Sequence, residues 1–450
     1  MDPKIFKAYD IRGVYPSEIN EDDMYYIAQA YAQFVRPKKI ALGKDVRESG
    51  PKLWVAAATG FIDAGVDVVD IGVISTDMMY FAVAHLGLDG GMIISASHNP
   101  REYNGVKMVR KDAVPISGDT GIQDMKKIAQ KKEKLHVEHK GIITRQNILD
   151  AYAQHCLSFI DPQKIQKLTV VANANFGMAG VATKQMIAEA NLPLSVKELN
   201  FEPDGSFPKG RPDPLVPENR GETSELVKKT GADFAVAWDA DADRCFFFNE
   251  NGEFIDGYYI VALLASIMLR GHKGEHVVIE PRMVFATRKA IEDAGGSWII
   301  NKVGHTFIKE RMRKENAIFA GENSAHLYFR DNFYCDNGMI PFLLIAQELS
   351  VTGKKMSELV KEWTDAVKVS GEINFTVKDT KEVIEKIALG FSDGKQDRTD
   401  GLSVEYATAR FNVRGSNTEP LLRLNVESYN QTDMETLRDR VIAAIKSSQA

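Results

Sequence analysis

The sequence predicts an α/β fold built mostly on parallel sheets, followed by a smaller α+β domain at the C-terminal end. Short apolar runs alternate with amphipathic stretches along most of the chain, for example at 39–42 and 169–171. This alternation is typical of βα units, whose strands pair in parallel. The last strand-like runs, 373–377, 402–406 and 421–426, lie closer together with fewer helical stretches between them, which favours an α+β domain there.

Length and composition set the broad class. The chain has 450 residues, of which 44% are hydrophobic and 26% charged, and this is typical of a soluble globular protein. At about 150 residues per domain, length alone suggests about three domains. The net charge of −6 disfavours nucleic acid and anionic membranes as partners.

The sequence also indicates where the protein resides. No apolar run approaches the ~18 residues of a membrane span, and the longest, 258–269, is typical of a buried helix. The N-terminus lacks the apolar region of a secretory signal. Cys156, Cys245 and Cys335 lie far apart and show no zinc-binding spacing. We therefore expect a reduced, cytoplasmic protein.

Changes in amino-acid composition and a turn signal mark the expected domain boundaries. A stretch rich in lysine and glutamate at 126–140 is expected to be a solvated connection, and the Asn-Gly turn at 251–252 opens a further unit. The expected domains are 1–143, 144–249, 250–367 and 368–450.

A helix is predicted at the C-terminal end. The segment 432–435 (TDME) has the pattern of a capping box. Behind it Met434, Leu437, Val441 and Ile445 recur at helical spacing and make one apolar face.

A polar loop at 95–100 (SASHNP) is the first chemical signal. It follows the apolar run 92–94, so a serine able to act as a nucleophile lies where a buried strand ends. In open α/β sheets, ligands bind just beyond the carboxyl ends of the strands. Two more polar loops stand at the same kind of place, and together they suggest phosphoryl chemistry on a sugar.

The second signal is a run of carboxylates after the buried strand 234–238. Asp239, Asp241 and Asp243 occupy alternate positions and repel one another, so a hard divalent cation is the simplest stabilising partner. Mg²⁺ prefers oxygen ligands and often completes its shell with substrate phosphate.

Two other interpretations of this acidic loop are weaker. A calcium-binding EF-hand loop would use Glu250 as its twelfth residue, but its sixth is Arg244 instead of glycine, and 245–248 (CFFF) is typical of a strand. A solvated acidic turn is disfavoured because the three aspartates directly follow a buried strand.

The third and fourth loops are ambiguous when taken singly. Glu322, Ser324 and His326 follow the apolar run 317–320 and could bind adjacent sugar hydroxyls. Such side chains more often form hydrogen bonds within their own loop. The segment 414–420 (RGSNTEP) could cradle a phosphate or form a hairpin turn.

Several basic side chains are single candidates. They are Arg12 in 9–13 (YDIRG), Lys107 in 103–107 (YNGVK), Arg282 and His305. A lone lysine or arginine is usually solvated, and a lone histidine is usually structural. Each of these residues therefore indicates a functional site only together with the others.

Taken together and in this order, the four loops resemble those of the α-D-phosphohexomutase family, and most strongly its phosphomannomutase/phosphoglucomutase branch. The resemblance covers essentially the whole chain. The matching segments are 6–13, 95–100, 103–107, 203–219, 239–244, 321–326 and 414–420. The chain departs from the usual pattern at Ala240 and Ala242, where the family has glycines, at Asp77, where proline is common, and at Asn323 and Ala325, where Met and Gly are usual.

The resemblance implies an architecture and a reaction. Three similar α/β domains with mixed sheets and a smaller C-terminal α+β domain would surround a central cleft. The enzyme would be a phosphomannomutase of the isomerase class that interconverts mannose 1-phosphate and mannose 6-phosphate, and also glucose phosphates. Its cofactors would be Mg²⁺ and, as activator, a hexose 1,6-bisphosphate.

The resemblance also implies a role for each site residue. Ser97 would carry the phosphoryl group, and with Asp239, Asp241 and Asp243 it would hold the metal. The other catalytic residues would be His98, Lys107, Arg12 and Arg244. The substrate-binding residues would be Tyr9, Arg282, His305, Glu322, Ser324, His326, Arg414, Ser416, Asn417, Thr418 and Arg423.

Other functions remain open from the sequence. A phosphoglucosamine mutase is the alternative within the family, and a Mg²⁺-dependent sugar phosphatase is the alternative outside it. A catalytically inactive phosphosugar-binding protein is disfavoured by the intact serine and aspartates. We expect a phosphosugar partner, no nucleic acid or membrane partner, and a monomer or homodimer.

Overall fold

The computed structural model describes residues 1–282, 284–415 and 421–448. The chain forms two compact units. One comprises Met1–Ile255 with Ser324–Met356, and the other comprises Asp256–Asn323 with Ser357–Ala450.

The first part of the chain forms a six-stranded mixed sheet with helices. Its elements are β1 (Ile11–Val14), α1 (Glu21–Val35), β2 (Lys39–Lys44), α2 (Gly50–Asp63), β3 (Asp67–Val73), α3 (Thr76–His85), β4 (Gly90–Ile94), β5 (Tyr103–Arg110), α4 (Gln123–Lys131) and β6 (Ile143–Arg145). The strand order is β1-β5-β4-β2-β3-β6, with β5 antiparallel to both neighbours and β2 parallel to β3 and β4. Helix α4 occupies the start of the stretch that was expected to be a connection, which corrects that expectation: Met125 and Ala129 bury one face of a helix whose other face carries the lysines.

A second sheet follows in the same unit. Its elements are α5 (Leu149–Leu157), β7 (Leu168–Asn173), α6 (Ala179–Ala190), β8 (Leu194–Leu199), α7 (Gly221–Thr230), β9 (Phe234–Trp238), β10 (Cys245–Phe248) and β11 (Phe254–Ile255). The order is β11-β10-β9-β7-β8, with β7 parallel to β8 and β9, and β10 antiparallel to β9. The turn between β9 and β10 holds the three aspartates.

The third part of the chain contributes to both units. Its elements are α8 (Gly257–Leu269), β12 (His276–Ile279), α9 (Phe285–Asp293), β13 (Ser297–Ile300), α10 (His305–Glu315), β14 (Phe319–Gly321), β15 (Leu327–Phe329), β16 (Cys335–Asp336), α11 (Met339–Thr352) and α12 (Met356–Ala366). Strand β12 pairs in parallel with β13 and β14, and β15 pairs antiparallel with β16. The buried helix predicted at 258–269 is confirmed as α8, and the Asp256 side chain caps it by accepting from the Tyr258 amide.

The C-terminal part is an antiparallel sheet packed on two helices. Its elements are β17 (Lys368–Val369), β18 (Ile373–Thr376), α13 (Thr380–Gly390), β19 (Lys395–Asp397), β20 (Leu402–Glu405), β21 (Ala409–Gly415), β22 (Leu421–Ser428) and α14 (Gln431–Ser447). The order is β17-β22-β21-β20-β19, and β18 also pairs with β22. The prediction of three mixed α/β sheets followed by an α+β domain is therefore confirmed.

The predicted apolar face of α14 is confirmed, but its predicted cap is wrong. Met434, Leu437, Val441 and Ile445 are all buried in the C-terminal core. The helix begins one residue before the expected capping box, because the Asn430 side chain accepts from the Asp433 amide and starts the helix at Gln431. Among the described helices, none is long and apolar enough to cross a membrane.

Candidate active site

Ser97 lies in a tight loop between β4 and β5. Every residue of β4 is buried, so the strand delivers the loop from the interior of the sheet. Ser97 itself is 3% exposed and has a left-handed backbone with φ 52°. This conformation is unusual for a residue other than glycine and is found mostly where function or local contacts impose it. The Ser97 amide donates to the Ser95 Oγ at 2.9 Å.

The guanidinium of Arg47 fixes the shape of this loop. Its side chain is fully buried and pairs with Asp45 at 3.2 Å. It also donates to four backbone carbonyls at 2.7–3.0 Å, which are those of Ser97, Asn99, Pro100 and Tyr103. The planar fork of donors suits arginine to this task. Arg47 was not predicted as a site residue, because a lone arginine after a strand is usually solvated.

The three aspartates lie together beside Ser97. Strands β9 and β10 pair Trp238 with Cys245, so the intervening turn is short and its carboxylates are buried. The Ser97 Oγ donates to Asp239 Oδ2 at 3.2 Å. The serine loop and the acidic loop therefore form one site within the first unit.

Lys107 and Arg244 neutralise part of the acidic cluster. The Lys107 ammonium lies 2.7 Å from Asp241 Oδ2 and 2.5 Å from Asp243 Oδ2. The Arg244 Nε donates to Asp239 Oδ2 at 2.7 Å. Both cations were predicted as site residues from the resemblance, and the structure places both in the site.

Burial and charge set the protonation of the cluster. Burial raises the pKa of Asp239 to about 7, although Arg244 opposes the shift. Burial alone would raise the pKa of Asp241, but Lys107 lowers it below the usual range. Burial alone would lower the pKa of Lys107, but its two carboxylate partners raise it above the usual range. Lys107 is therefore held as a cation here.

The donor set fits a hard divalent cation. The residues Asp239, Asp241 and Asp243 each offer one carboxylate oxygen, and these oxygens lie within 4.8 Å of one another. The Oδ1 atoms of Asp241 and Asp243 are buried and lack a hydrogen-bond partner among the described residues. Buried carboxylate oxygens without partners are costly, and a bound cation removes that cost.

Thr76 and Gly338 hold the acidic loop in place. The Thr76 side chain donates to Asp241 Oδ2 at 2.6 Å, and its amide donates to the Asp241 carbonyl at 2.9 Å. On the other side Gly338 approaches so closely that a Cβ would lie 2.3 Å from the Ala242 carbonyl oxygen. Only glycine fits there. Thr76 was not predicted as a site residue, since nothing in the sequence pairs it with a loop 165 positions away.

His98 and Arg12 complete the surroundings of Ser97. The His98 Nδ1 lies 3.1 Å from the Ser97 Oγ. Desolvation and then the charge of Arg244 lower the pKa of His98, so its imidazole is neutral at neutral pH. Arg12 donates to Asn99 at 2.6 Å and pairs with Asp10. Tyr9, also predicted, lies half-buried just before β1.

The predicted sugar-recognition residues divide between the two units. In the first unit, Ser324 Oγ lies 2.9 Å from His326 Nδ1, and His326 Nε2 lies 3.6 Å from Asp243 Oδ1. In the second unit, Glu322 is buried and accepts from the Gly304 amide at 3.0 Å, immediately before His305 at the start of α10.

The second unit also gathers the predicted arginines. Arg282 lies 2.6 Å from Glu280 and 2.7 Å from Glu372, and Arg423 lies 3.1 Å from the other oxygen of Glu372. Glu372 thus joins two arginines that lie far apart in sequence.

Arg414 is tied to the loop before His305. Its Nε lies 2.9 Å from Asp400, which also accepts from the Val303 amide at 2.9 Å. Neither Glu372 nor Asp400 was predicted, because each is one acidic residue among many in a charged stretch. Ser416, Asn417 and Thr418 lie outside the described residues.

Comparison with known proteins defines the class of this chain. Its residues match, in order, the phosphoglucomutase/phosphomannomutase α/β/α domain I (3–136), domain II (150–252), domain III (256–366) and the C-terminal domain (372–444). The chain is therefore a mutase, an enzyme of the isomerase class. It belongs to the phosphoglucomutase/phosphomannomutase family, as the resemblance predicted.

Individual relatives agree with this assignment. The chain is 45% identical over 447 residues to a phosphomannomutase of Escherichia coli, with 98% of each chain covered. It is 44% identical over 450 residues to a phosphomannomutase of Salmonella montevideo, with 98% of this chain and 99% of the relative covered. A solved structure of a family protein from Burkholderia thailandensis matches 100% of this chain and 98% of its own, with a TM-score of 0.90 and 29% identity.

Proposed function

We propose that this enzyme interconverts mannose 1-phosphate and mannose 6-phosphate, and also accepts glucose phosphates. The observation that carries the proposal is the Ser97 hydroxyl, buried 3.2 Å from a carboxylate of the triple-aspartate loop. The full-length likeness to proteins named phosphomannomutase supports mannose as the sugar.

In the proposed reaction Ser97 carries the phosphoryl group. The bond between phosphorus and the Ser97 Oγ breaks, and a bond forms between phosphorus and the free hydroxyl of the sugar phosphate. The product is a hexose 1,6-bisphosphate, which turns end for end. Ser97 then takes back the other phosphoryl group, so the phosphoserine is regenerated. Added bisphosphate would activate an enzyme whose serine has lost its phosphoryl group.

The charges around Ser97 suit this transfer, which depends mainly on positioning and charge neutralisation. The residues Asp239, Asp241, Asp243 and Ser97 would hold Mg²⁺, which would offset negative charge on the phosphoryl group. Arg244 would hold the phosphoserine, and Arg12 would orient the phosphoryl group.

We assign the proton transfer to His98. Its lowered pKa keeps the imidazole neutral, so Nδ1, 3.1 Å from the Ser97 Oγ, would take the hydroxyl proton as Ser97 forms its bond to phosphorus and would return it when that bond breaks. Lys107 is the other predicted candidate, and its pairs with Asp241 and Asp243 support a role in holding charge.

The remaining predicted residues would bind the sugar and its distal phosphate. Glu322, Ser324 and His326 would bind sugar hydroxyls. Arg414 and Arg423 would bind the phosphate that is not reacting, together with Ser416, Asn417 and Thr418. Tyr9, Arg282 and His305 would make further substrate contacts. We retain the four-domain division at 143, 249 and 367 and a cytoplasmic location as parts of the same proposal.

A phosphorus NMR time course tests the activity. Mannose 1-phosphate is supplied with Mg²⁺ and a trace of hexose 1,6-bisphosphate, and mannose 6-phosphate should appear without orthophosphate. Release of orthophosphate would establish a phosphatase instead. No reaction with mannose or glucose phosphates, but turnover of glucosamine phosphate, would establish a phosphoglucosamine mutase.

Paired serine variants test the phosphoryl carrier. Ser97→Ala should abolish turnover and the phosphopeptide that covers the loop. Ser95→Ala removes a buried serine of the same loop and should keep the phosphopeptide. A phosphoryl group retained in Ser97→Ala but lost in Ser95→Ala would refute the assignment.

A further inference from the structure

A second cluster of metal-binding side chains lies beside the acidic loop in the first unit. Asp243, His326 and Asp336 each offer one ligand atom, and these atoms lie within 4.8 Å of one another. Asp243 and Asp336 are buried, and His326 is half-buried. The cluster shares Asp243 with the triple-aspartate loop but adds a nitrogen donor, which that loop lacks.

The two oxygens of Asp243 face different partners. Its Oδ2 lies 2.5 Å from the Lys107 ammonium. Its Oδ1 is buried, has no hydrogen-bond partner among the described residues, and lies 3.6 Å from His326 Nε2. A cation in the triple-aspartate loop would also satisfy this oxygen, so Asp243 would be shared between that loop and the second cluster.

The distance between these two atoms is that of two ligands on one metal ion. At 3.6 Å, Oδ1 and Nε2 are too far apart for a hydrogen bond. Two donors at about 2.1 Å from a tetrahedral metal lie about 3.4 Å apart. The opposite ring nitrogen, His326 Nδ1, lies 2.9 Å from Ser324 Oγ, and an outer partner of this kind fixes the ring of a metal-binding histidine.

Backbone pairing fixes the three ligands relative to one another. Arg244, next to Asp243, forms an antiparallel bridge with His326. The neighbouring Cys245 amide donates to the Ala325 carbonyl at 3.2 Å. Strand β16 pairs Asp336 with Tyr328, two residues beyond His326. The donors therefore come from three segments held together by main-chain hydrogen bonds.

We propose that Asp243, His326 and Asp336 form a second cation site, which binds a transition metal of the Zn²⁺ or Co²⁺ class. Two carboxylates and one imidazole suit such ions better than Mg²⁺, which prefers oxygen alone. A metal in this site would occupy Asp243 and immobilise His326. If His326 contacts the sugar as proposed above, Zn²⁺ would inhibit the mutase. Binding itself does not depend on that proposal.

Cobalt spectroscopy on the full chain tests the site without any sugar. Co²⁺ is titrated into protein without added Mg²⁺, and the visible absorption of tetrahedral Co²⁺ is recorded. We expect one such ion per chain, displaced by Zn²⁺. His326→Gln and Asp336→Asn should each weaken Co²⁺ binding at least about tenfold.

Two further variants make the test specific. His139→Gln removes an exposed histidine of the same unit and should bind Co²⁺ as the wild type does. Asp239→Asn changes a ligand of the triple-aspartate loop that the second cluster does not share, and it should keep the tetrahedral spectrum. Circular dichroism checks that His326→Gln and Asp336→Asn fold. Either variant tests the site if it folds.

Three results would overturn the proposal. One is the lack of a tetrahedral spectrum in the wild type. Another is unchanged Co²⁺ binding in a folded His326→Gln or Asp336→Asn variant. The third is a spectrum lost in Asp239→Asn, which would place the ion in the triple-aspartate loop. A mutase assay that fails while Co²⁺ binds as expected would refute the proposed function and leave this site intact.

Discussion

Replacing Arg47 by lysine should loosen the serine loop while leaving its charge unchanged. Lysine keeps one positive charge beside Asp45, but it presents its donors from a single atom. Arg47 spreads its donors over four carbonyls of the loop and the Asp45 carboxylate. We expect lysine to satisfy Asp45 and about two carbonyls at most.

The stability cost follows from the carbonyls left without a donor. A hydrogen bond to a charged donor contributes about 1.5 kcal/mol or more, so losing two costs about 3 kcal/mol. At about 2.1 cal/mol/K of unfolding entropy per residue, the first unit shifts by about 1.7 °C per kcal/mol, so its unfolding temperature should fall by about 5 °C. The Ser97 carbonyl would lose its anchor, and a misplacement of about 1 Å can lower kcat about 100-fold.

Thermal unfolding and steady-state kinetics measure these effects together. We expect kcat to fall much more than KM rises, because Arg47 holds the loop rather than the sugar. Arg101→Lys is the matched control, since Arg101 is exposed in the same loop. An Arg47→Lys enzyme with the unfolding temperature and kcat of the wild type would refute the reasoning.

Three further predictions concern the acidic loop and the last helix. Because the pKa of Asp239 is raised to about 7, Mg²⁺ must displace a proton from this carboxyl below that pH. Calorimetry should show that the affinity for Mg²⁺ falls ~tenfold per pH unit below about pH 7 and is constant above it. An affinity that does not change with pH would contradict the assignment. Lys107→Met leaves two buried carboxylates without their counter-ion, so it should lower stability by about 3 kcal/mol without Mg²⁺ and gain more from added Mg²⁺ than the wild type. Equal thermal shifts on adding Mg²⁺ would count against this. Asn430→Ala removes the cap of α14 and should cost about 1 kcal/mol by denaturant unfolding, with unchanged stability as the contrary result.

The fold was predictable because its signals are local. Alternating apolar runs predicted βα units with mostly parallel strands, and closely spaced runs predicted the C-terminal α+β domain. The cap of α14 was predicted wrongly because two polar residues compete to start that helix. Asn430 lies in an extended conformation that lets its side chain reach the Asp433 amide. The sequence alone does not reveal which backbone conformation each competitor adopts.

The site was predictable in part for the same reason. Ser97 and the three aspartates each follow a strand, so position along the chain identified them. Arg47 and Thr76 act through contacts with loops 50 and 165 positions away, and such partners have no local signature. Glu372 was not predicted, because only the folded second unit brings it between Arg282 and Arg423.

The substitutions of alanine for the usual glycine show how tertiary contacts compensate for local cost. Ala242 and Ala325 both have left-handed backbones, with φ 55° and 67°. Each conformation costs about 1 kcal/mol for a residue with a Cβ. The Cys245 amide bonds to the Ala325 carbonyl, and Gly338 packs against the Ala242 carbonyl. Contacts from β10 and from Gly338, which directly precedes α11, therefore hold the two loops in conformations that alanine disfavours.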